Sequence, residues 1–190
     1  MFPRLAGQHA AYVARQLADY KSGRRKNGTM QPMVEDLSAA DFAALGAYFE
    51  SRTPVAHPVD DPELSAVGRF VFQRGNPYSG VAACAGCHGA TGAGTPTLPR
   101  LAGQHAQYTE NQLKAFNKRE RTNDNAVMHG IASKLSELSW AESPPRSGQH
   151  SRTKQITSLS QLIDGFVGKF ETGKLCCKMF FTRGTRIGPL

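Results

Sequence analysis

The strongest constraint on the fold is an internal repeat. The eight residues from Pro3 to Ala10 recur letter for letter from Pro99 to Ala106, an offset of 96 residues. At the same offset, five more residues match: Tyr12 with Tyr108, Gln16 with Gln112, Leu17 with Leu113, Arg25 with Arg121, and Asn27 with Asn123. After a slip of two residues, Met30 matches Met128 and Leu37-Ser38 matches Leu135-Ser136. A repeat of this kind fixes the number of structural units, so the sequence predicts two related domains.

Apolar residues within the repeats follow the period of a helix, which predicts an all-α fold. Ser38 and Asp41 have the spacing of a capping box and predict a helix start. Asp61-Pro62 predicts another start, and the segment from Arg74 to Asn76, which contains Gly75, predicts its end. The apolar stripes in the first copy are Val13, Leu17 and Tyr20, followed by Phe42, Leu45 and Phe49.

Composition and charge exclude several classes of protein. With 190 residues, of which 39% are hydrophobic and 20% charged, the chain is an ordinary globular sequence rather than a collagen, a coiled coil or a disordered chain. No apolar stretch is long enough for a membrane-spanning helix, and the N-terminus shows no export pattern. Most of the net charge of +8 comes from residues 139–190. The basic character therefore belongs mainly to the tail, and we expect no nucleic-acid partner.

The repeat and the composition divide the chain into four segments. Residues 1–50 are predicted to be the C-terminal half of a first domain, because the part that precedes the repeat in the second copy has no counterpart before residue 1. Residues 51–60, with two prolines and no helical period, predict an extended linker. Residues 61–138 form a second domain, and residues 139–190 are predicted to be an unrelated or frame-shifted basic tail that is disordered.

Cys84, Cys87 and His88 form a C-x-x-C-H motif, the attachment signature of c-type haem. Two thiols at this spacing can each add to a vinyl group of one porphyrin, and the following histidine can ligate the iron. A C-x-x-C pair also occurs in dithiol oxidoreductases and in zinc sites. The first needs a nearby β-α-β pattern and the second needs two further ligands, and the sequence shows neither.

Around this motif, residues 1–138 resemble the cytochrome c4 family of periplasmic carriers, which are built from two class I cytochrome c domains in tandem. The resemblance rests on the segment from Cys84 to Gly89, on the paired Pro-x-Leu-Ala-Gly-Gln stretches, and on Met-x-x-x-x-x-x-Leu-Ser after each of them. It implies single-electron transfer through a covalently bound haem c and a periplasmic location. It also implies that the chain is a carrier and not an enzyme.

The resemblance assigns roles to three further residues. Met128 is similar to the sixth iron ligand, so His88 and Met128 are the predicted metal ligands. The carbonyl of Pro99 is expected to accept the second imidazole proton of His88, and Leu101 to pack on the porphyrin. His129 is the one competitor for the methionine position. The helix residues that we expect to close the pocket are Tyr108, Leu113 and Phe116.

Two features depart from the family pattern. The first copy has Pro3, Leu5 and Met30 but no C-x-x-C-H, so we predict one haem in this chain and expect the export signal to have been lost with the missing piece. After Leu138, the segment that contains Pro144 and Pro145 cannot continue a helix. Cys176 and Cys177 lie in this tail and have no assigned function.

Three functional readings stay open. The first is a soluble electron carrier whose partners are redox proteins, namely an electron donor and a terminal oxidase or reductase. The second is the di-haem cytochrome subunit of a flavocytochrome c sulfide dehydrogenase. The third is a non-haem dithiol or zinc-binding module. We expect no small-molecule substrate, and peripheral association with a membrane is left open.

Overall fold

The computed structural model describes residues 2–55 and 62–135. Within these ranges there is no β-strand, only an isolated antiparallel bridge between Asn76 and Val81. The helices are α1 (Ala10–Lys21), α2 (Met30–Val34), α3 (Ala39–Glu50), α4 (Pro62–Arg74), α5 (Ala85–His88), α6 (Ala106–Asn117) and α7 (Val127–Leu135). The prediction of an all-α fold is confirmed.

The repeat in the sequence is also a repeat in the helices. Helices α1 and α6 begin and end at residues that lie 96 positions apart, and α2 and α7 each carry the repeated methionine. Helix α1 packs against α2 and α3, whereas α6 packs against α7. The two copies of the repeat in the sequence therefore correspond to two helical units with the same order of helices.

The first unit buries a small apolar core. Tyr20, Val34 and Phe42 form its centre, and Val13 is also buried. Leu45 and Phe49, which the periodicity places on the same face as Phe42, are only half-buried. The partly buried residues packed around this centre are Ala14, Leu17, Ala18, Met30 and Leu37.

Helix α3 begins at the predicted capping box. The Ser38 hydroxyl accepts a hydrogen bond from the Asp41 amide (3.2 Å), and the Asp41 carboxylate accepts one from the Ser38 amide (2.8 Å). Gly46, one turn further along, lets α3 approach α1 closely, because a Cβ at this position would lie 3.0 Å from the Cα of Ala10. Capping and close approach together fix how α3 sits on α1.

The boundaries predicted for α4 are confirmed. The helix starts at Pro62 and ends at Arg74, and Gly75 follows with a left-handed backbone (φ +71°). The Asn76–Val81 bridge then closes the connection that leads to α5. Half of the predicted linker (residues 56–60), Asp61 and the whole of residues 136–190 lie outside the described residues, so the predictions for the tail and for Cys176 and Cys177 fall outside them too.

Candidate haem site and the contact between the repeats

The C-x-x-C-H motif folds as one helical turn. Cys84 precedes α5, and its carbonyl accepts hydrogen bonds from the amides of Cys87 (3.2 Å) and His88 (2.9 Å). Residues three positions apart in a turn of helix are neighbours on one face. Both cysteines are free thiols; Cys84 is partly buried and Cys87 is exposed. Burial raises the pKa of the Cys84 thiol.

His88 is buried and oriented by the chain. Its Nδ1 atom lies 3.0 Å from the carbonyl oxygen of Pro99, and the residue is only 7% exposed. A carbonyl can only accept, so Nδ1 carries the proton and Nε2 holds a free lone pair. Burial lowers the pKa of His88, and the hydrogen bond to Pro99 partly opposes this shift. The lowered pKa favours the neutral imidazole, the form in which histidine binds a metal.

The loop after His88 is bent back so that Pro99 reaches the imidazole. The Gly94 amide donates to the His88 carbonyl (2.8 Å), and the Leu101 amide donates to the Gly92 carbonyl (2.8 Å). Gly94 has a left-handed backbone (φ +77°), and a Cβ there would lie 2.6 Å from both the Leu98 carbonyl oxygen and the Arg100 amide nitrogen. Glycine is therefore required at the tightest point of this loop.

Met128 and Leu101 are partly buried, and Met128 lies in the first turn of α7. Helix α7 packs on α6, and α5 packs on α4; within the described part of the chain α5 and α7 do not pack on each other. The structure thus does not bring Met128 and His88 together directly.

The other described histidines are engaged elsewhere. His129 Nδ1 lies 2.9 Å from the Phe116 carbonyl, and Nε2 accepts from Arg119 Nε (3.2 Å), so both ring nitrogens of the predicted competitor are committed. His9 Nε2 contacts the Ala93 carbonyl (2.9 Å), and His105 Nε2 accepts from Arg4. His57 and His150 lie outside the described residues.

The two repeats are joined by reciprocal glutamines. Gln8 Oε1 accepts from the Arg100 amide (2.8 Å), and Gln8 Nε2 donates to the Arg100 carbonyl (3.0 Å). Gln104 Oε1 accepts from the Arg4 amide (2.9 Å), and Gln104 Nε2 donates to the Arg4 carbonyl (3.0 Å). Both glutamine side chains are buried. Each repeat therefore satisfies the backbone of the other with the same residue.

A pair of arginines extends this contact. Arg25 Nη2 donates to the hydroxyl of Tyr108 (3.0 Å) and to Gln112 Oε1 (2.9 Å), both in the other repeat. Arg25 Nη1 donates to Gln16 Oε1 within its own repeat (2.8 Å). Arg25 is buried, so these contacts keep its guanidinium hydrogen-bonded away from water.

Arg121 makes the mirror-image set of contacts. Its Nη2 donates to the hydroxyl of Tyr12 (3.0 Å) and to Gln16 Oε1 (3.1 Å), and its Nη1 donates to Gln112 Oε1 (2.7 Å). One asymmetric contact adds to them, because Asn123 donates to the buried carboxylate of Asp19 (2.6 Å), whose counterpart in the second repeat is Ala115. The glutamine and arginine contacts are thus symmetric, whereas the contacts of Asn123 with Asp19 and of Arg4 with His105 have no equivalent on the other side.

This contact between the repeats was not predicted, although the sequence contains a signal for it. The residues that recur at the 96-residue offset include the glutamines, tyrosines and arginines that meet between the repeats. Tyr108, which we expect to close the haem pocket, also accepts a hydrogen bond from Arg25 through its hydroxyl. The identity of these polar residues in both repeats was the feature that could have indicated a contact between the repeats.

Two further observations bear on the class of site. Within residues 2–55 and 62–135, no three His, Cys, Asp or Glu side chains are grouped so as to hold a metal ion by themselves. The motif thus has no ready zinc cluster in that part of the chain. No helix among these residues is both long and apolar enough to cross a bilayer.

Comparison with known proteins identifies the family. The family model described as cytochrome c matches residues 72–138. The cytochrome c4 of Thiocapsa roseopersicina is 42% identical over 141 residues, which covers 72% of this chain and 72% of that protein. This chain belongs to the cytochrome c4 family. The family is therefore the one that the repeats and the C-x-x-C-H motif indicated, and cytochromes of this class bind haem c and transfer electrons.

Two other relatives of this cytochrome c4 chain are informative. A crystal structure of reduced cytochrome c4 from Pseudomonas stutzeri matches with a TM-score of 0.72 at 33% identity, covering 88% of this chain and 84% of that one. A thiosulfate dehydrogenase electron acceptor from Thiomonas intermedia is 37% identical over 141 residues, covering 72% of this chain and 64% of that protein. The match to the first relative shows that this chain has the cytochrome c4 fold. The second relative bears a name that specifies a redox partner.

Proposed function

We propose that this cytochrome c4 chain carries single electrons through one covalently bound haem c, with His88 and Met128 as the axial ligands of the iron. The observation that carries the proposal is the orientation of His88. Its Nδ1 proton is bound by the Pro99 carbonyl, and among the described residues Nε2 has no hydrogen-bonding partner. A buried imidazole with one nitrogen tied to the backbone and the other open matches the arrangement of a metal-ligating histidine.

The remaining residues of the motif fit the same group. The thiols of Cys84 and Cys87 are unpaired and lie in the same turn as His88, so both can form thioether bonds to one porphyrin. Leu101 follows Pro99 on the loop that returns to His88 and is the apolar side chain proposed to pack on the ring. When bound, the haem supplies a one-electron iron couple whose potential a methionine ligand raises.

With His88 and Met128 both committed as ligands, we propose no substrate site and no catalytic residue. The chain's residues bind the cofactor, orient the imidazole and limit the access of water to His88. The proposed partners are redox proteins, namely an electron donor and a terminal oxidase or reductase. The proposed location is the periplasm, where haem attachment takes place in the cytochrome c4 family.

The test is expression of the full chain with an export leader and the haem-attachment machinery. We expect a Soret band that survives acid acetone in the protein with intact Cys84 and Cys87, and that washes out when both are changed to alanine. The oxidised protein should show the far-red charge-transfer band of a methionine–iron bond. Met128→Ala should lose this band and keep the haem.

Met30→Ala is the matched control, because Met30 occupies the corresponding position of the first repeat. This variant should retain the far-red band, since the first repeat has no C-x-x-C-H in this chain. A band that disappears in Met30→Ala and persists in Met128→Ala would contradict the ligand assignment. A chain that takes up stoichiometric zinc and no haem under these conditions would instead favour the third reading.

A second candidate function is the acceptance of electrons from a dehydrogenase. The Thiomonas intermedia relative is named a thiosulfate dehydrogenase electron acceptor, which motivates this reading. Rapid mixing of the oxidised chain with a thiosulfate dehydrogenase and its substrate should then reduce the haem within the turnover time of the enzyme. The flavocytochrome alternative predicts co-purification with a flavoprotein, so the two candidates differ in the partner they require.

A further inference from the structure

The backbone just before Met128 is held in an unfavourable conformation. Asn125 (φ +54°) and Ala126 (φ +64°) are two consecutive non-glycine residues in the left-handed region. For alanine this conformation is costly, and it persists only where the surroundings impose it. Some contact must therefore hold the segment that leads into α7.

The carboxylate of Asp124 provides this contact. Its Oδ1 accepts from the Ala126 amide (3.2 Å), while its Oδ2 accepts from the amides of Met128 and His129 (2.5 and 3.2 Å). Asp124 thus caps α7 with a negative charge at the positive end of the helix. Hydrogen bonds to an ionised acceptor are stronger than those between neutral groups, so a single side chain fixes three amides around Met128.

The residue after Met128 is anchored as well. The His129 ring contacts the Phe116 carbonyl at the end of α6 and accepts from Arg119. Met128 therefore lies between Asp124, which fixes its backbone amide, and His129, which ties the first turn of α7 to α6.

In the first repeat, the backbone before the matching methionine, Met30, is capped by fewer hydrogen bonds. There Asn27 Oδ1 accepts from the amides of Thr29 (3.1 Å) and Met30 (3.0 Å). The second repeat has two more residues between the matched asparagine and the methionine. In it Asn123 bonds to Gln16 and Asp19 across the contact between the repeats, and Asp124 takes over the capping.

We propose that Asp124 is a positioning residue that keeps Met128 in place as an iron ligand. This inference rests on the proposed His88 and Met128 ligation. Loss of the carboxylate would release the amides of Ala126, Met128 and His129 and allow the left-handed segment to relax. The methionine would then leave the iron more often, and an added ligand would compete more easily for its place.

The test is titration of the oxidised full-length holoprotein with imidazole, followed through loss of the far-red band. We expect Asp124→Ala to bind imidazole with roughly tenfold higher apparent affinity than the unchanged chain, equivalent to about 1.4 kcal/mol. Asp124→Asn keeps one oxygen acceptor but loses the charge and the second acceptor, so its affinity should lie between those of the unchanged chain and of Asp124→Ala. Asn27→Ala removes the matching cap from the first repeat and should not alter the affinity.

The outcomes separate this inference from the proposed function. If the unchanged chain shows no far-red band, the methionine ligation itself is wrong. If the band is present and Asp124→Ala binds imidazole no more tightly, or Asn27→Ala shows the same gain, the positioning role is overturned. Amide exchange of the unchanged holoprotein gives a second measurement that needs no variant: the Met128 and His129 amides should be protected, and rapid exchange of both would also overturn the role.

Discussion

Gln8 spans the backbone of Arg100, with Oε1 2.8 Å from the amide and Nε2 3.0 Å from the carbonyl. Gln104 does the same at Arg4. Both glutamines are buried, so removing either side chain would remove two hydrogen bonds, one to a backbone amide and one to a backbone carbonyl of the opposite repeat.

Gln8→Ala and Gln104→Ala should therefore destabilise the protein by similar amounts, roughly 2 kcal/mol each. Urea unfolding of the full-length holoprotein measures the effect. Gln107→Ala is the control, because Gln107 is exposed and bonds only within its own helix. Unequal losses for the two glutamines would argue against the symmetric contact.

Arg121→Lys should also weaken the contact, although it keeps the charge. The guanidinium bonds to Tyr12, Gln16 and Gln112 at once, and a lysine ammonium cannot reach this planar arrangement of acceptors. We expect a loss of about 1–3 kcal/mol in the free energy of unfolding. Arg69→Lys, at an exposed position of α4, should have no measurable effect, and an equal loss there would point to a general effect of lysine.

Gly94→Ala should reduce the yield of haem-loaded protein. The left-handed backbone alone disfavours alanine by of order 1–3 kcal/mol, and the added methyl group would press on the segment from Leu98 to Arg100 that carries the Pro99 carbonyl. Gly130→Ala in α7 is the control, since nothing lies within 4 Å of the added Cβ. The ratio of Soret absorbance to protein compares the two variants; a normal ratio for Gly94→Ala would contradict the role given to this loop.

The capping box of α3 should be sensitive to acid. Hydrogen bonds from the Ser38 side chain and backbone lower the pKa of Asp41 below its ordinary value of 3.8. A carboxylate with a lowered folded pKa stabilises the fold above the unfolded pKa, and this contribution is lost as the pH falls through the folded pKa. Titration by NMR should place Asp41 below 3.8, and Ser38→Ala should bring its pKa back up. An unchanged pKa in Ser38→Ala would show that the cap is not formed in solution.

Local signals in the sequence were sufficient for several features. Ser38 and Asp41 lie three residues apart and predicted a cap that depends only on neighbours in the chain. Pro62 and Gly75 marked the ends of α4 for the same reason. The hydrogen bond between His88 and Pro99 was expected from the resemblance to the cytochrome c4 family, since no rule of spacing links these two residues.

Contacts between distant segments were not predictable in the same way. The partner of Tyr108 is Arg25, 83 residues away, and helical periodicity only indicated that Tyr108 belongs to a helix. Asp124 has no counterpart in the first repeat, so the identity between the two copies gave no indication of its role. The slip of two residues before Met128 was the visible sign that this loop differs.

The reciprocal contact also says how such a chain can arise. Because the same residues lie on both sides, the contact is isologous. Each copy of the repeat therefore carries the residues for both sides of the contact. A symmetric homodimer of single-domain chains could become this tandem protein by gene fusion, with no new residue needed between the domains. Asp19, which contacts Asn123, is a position at which the two halves differ, because the second repeat has Ala115 in its place.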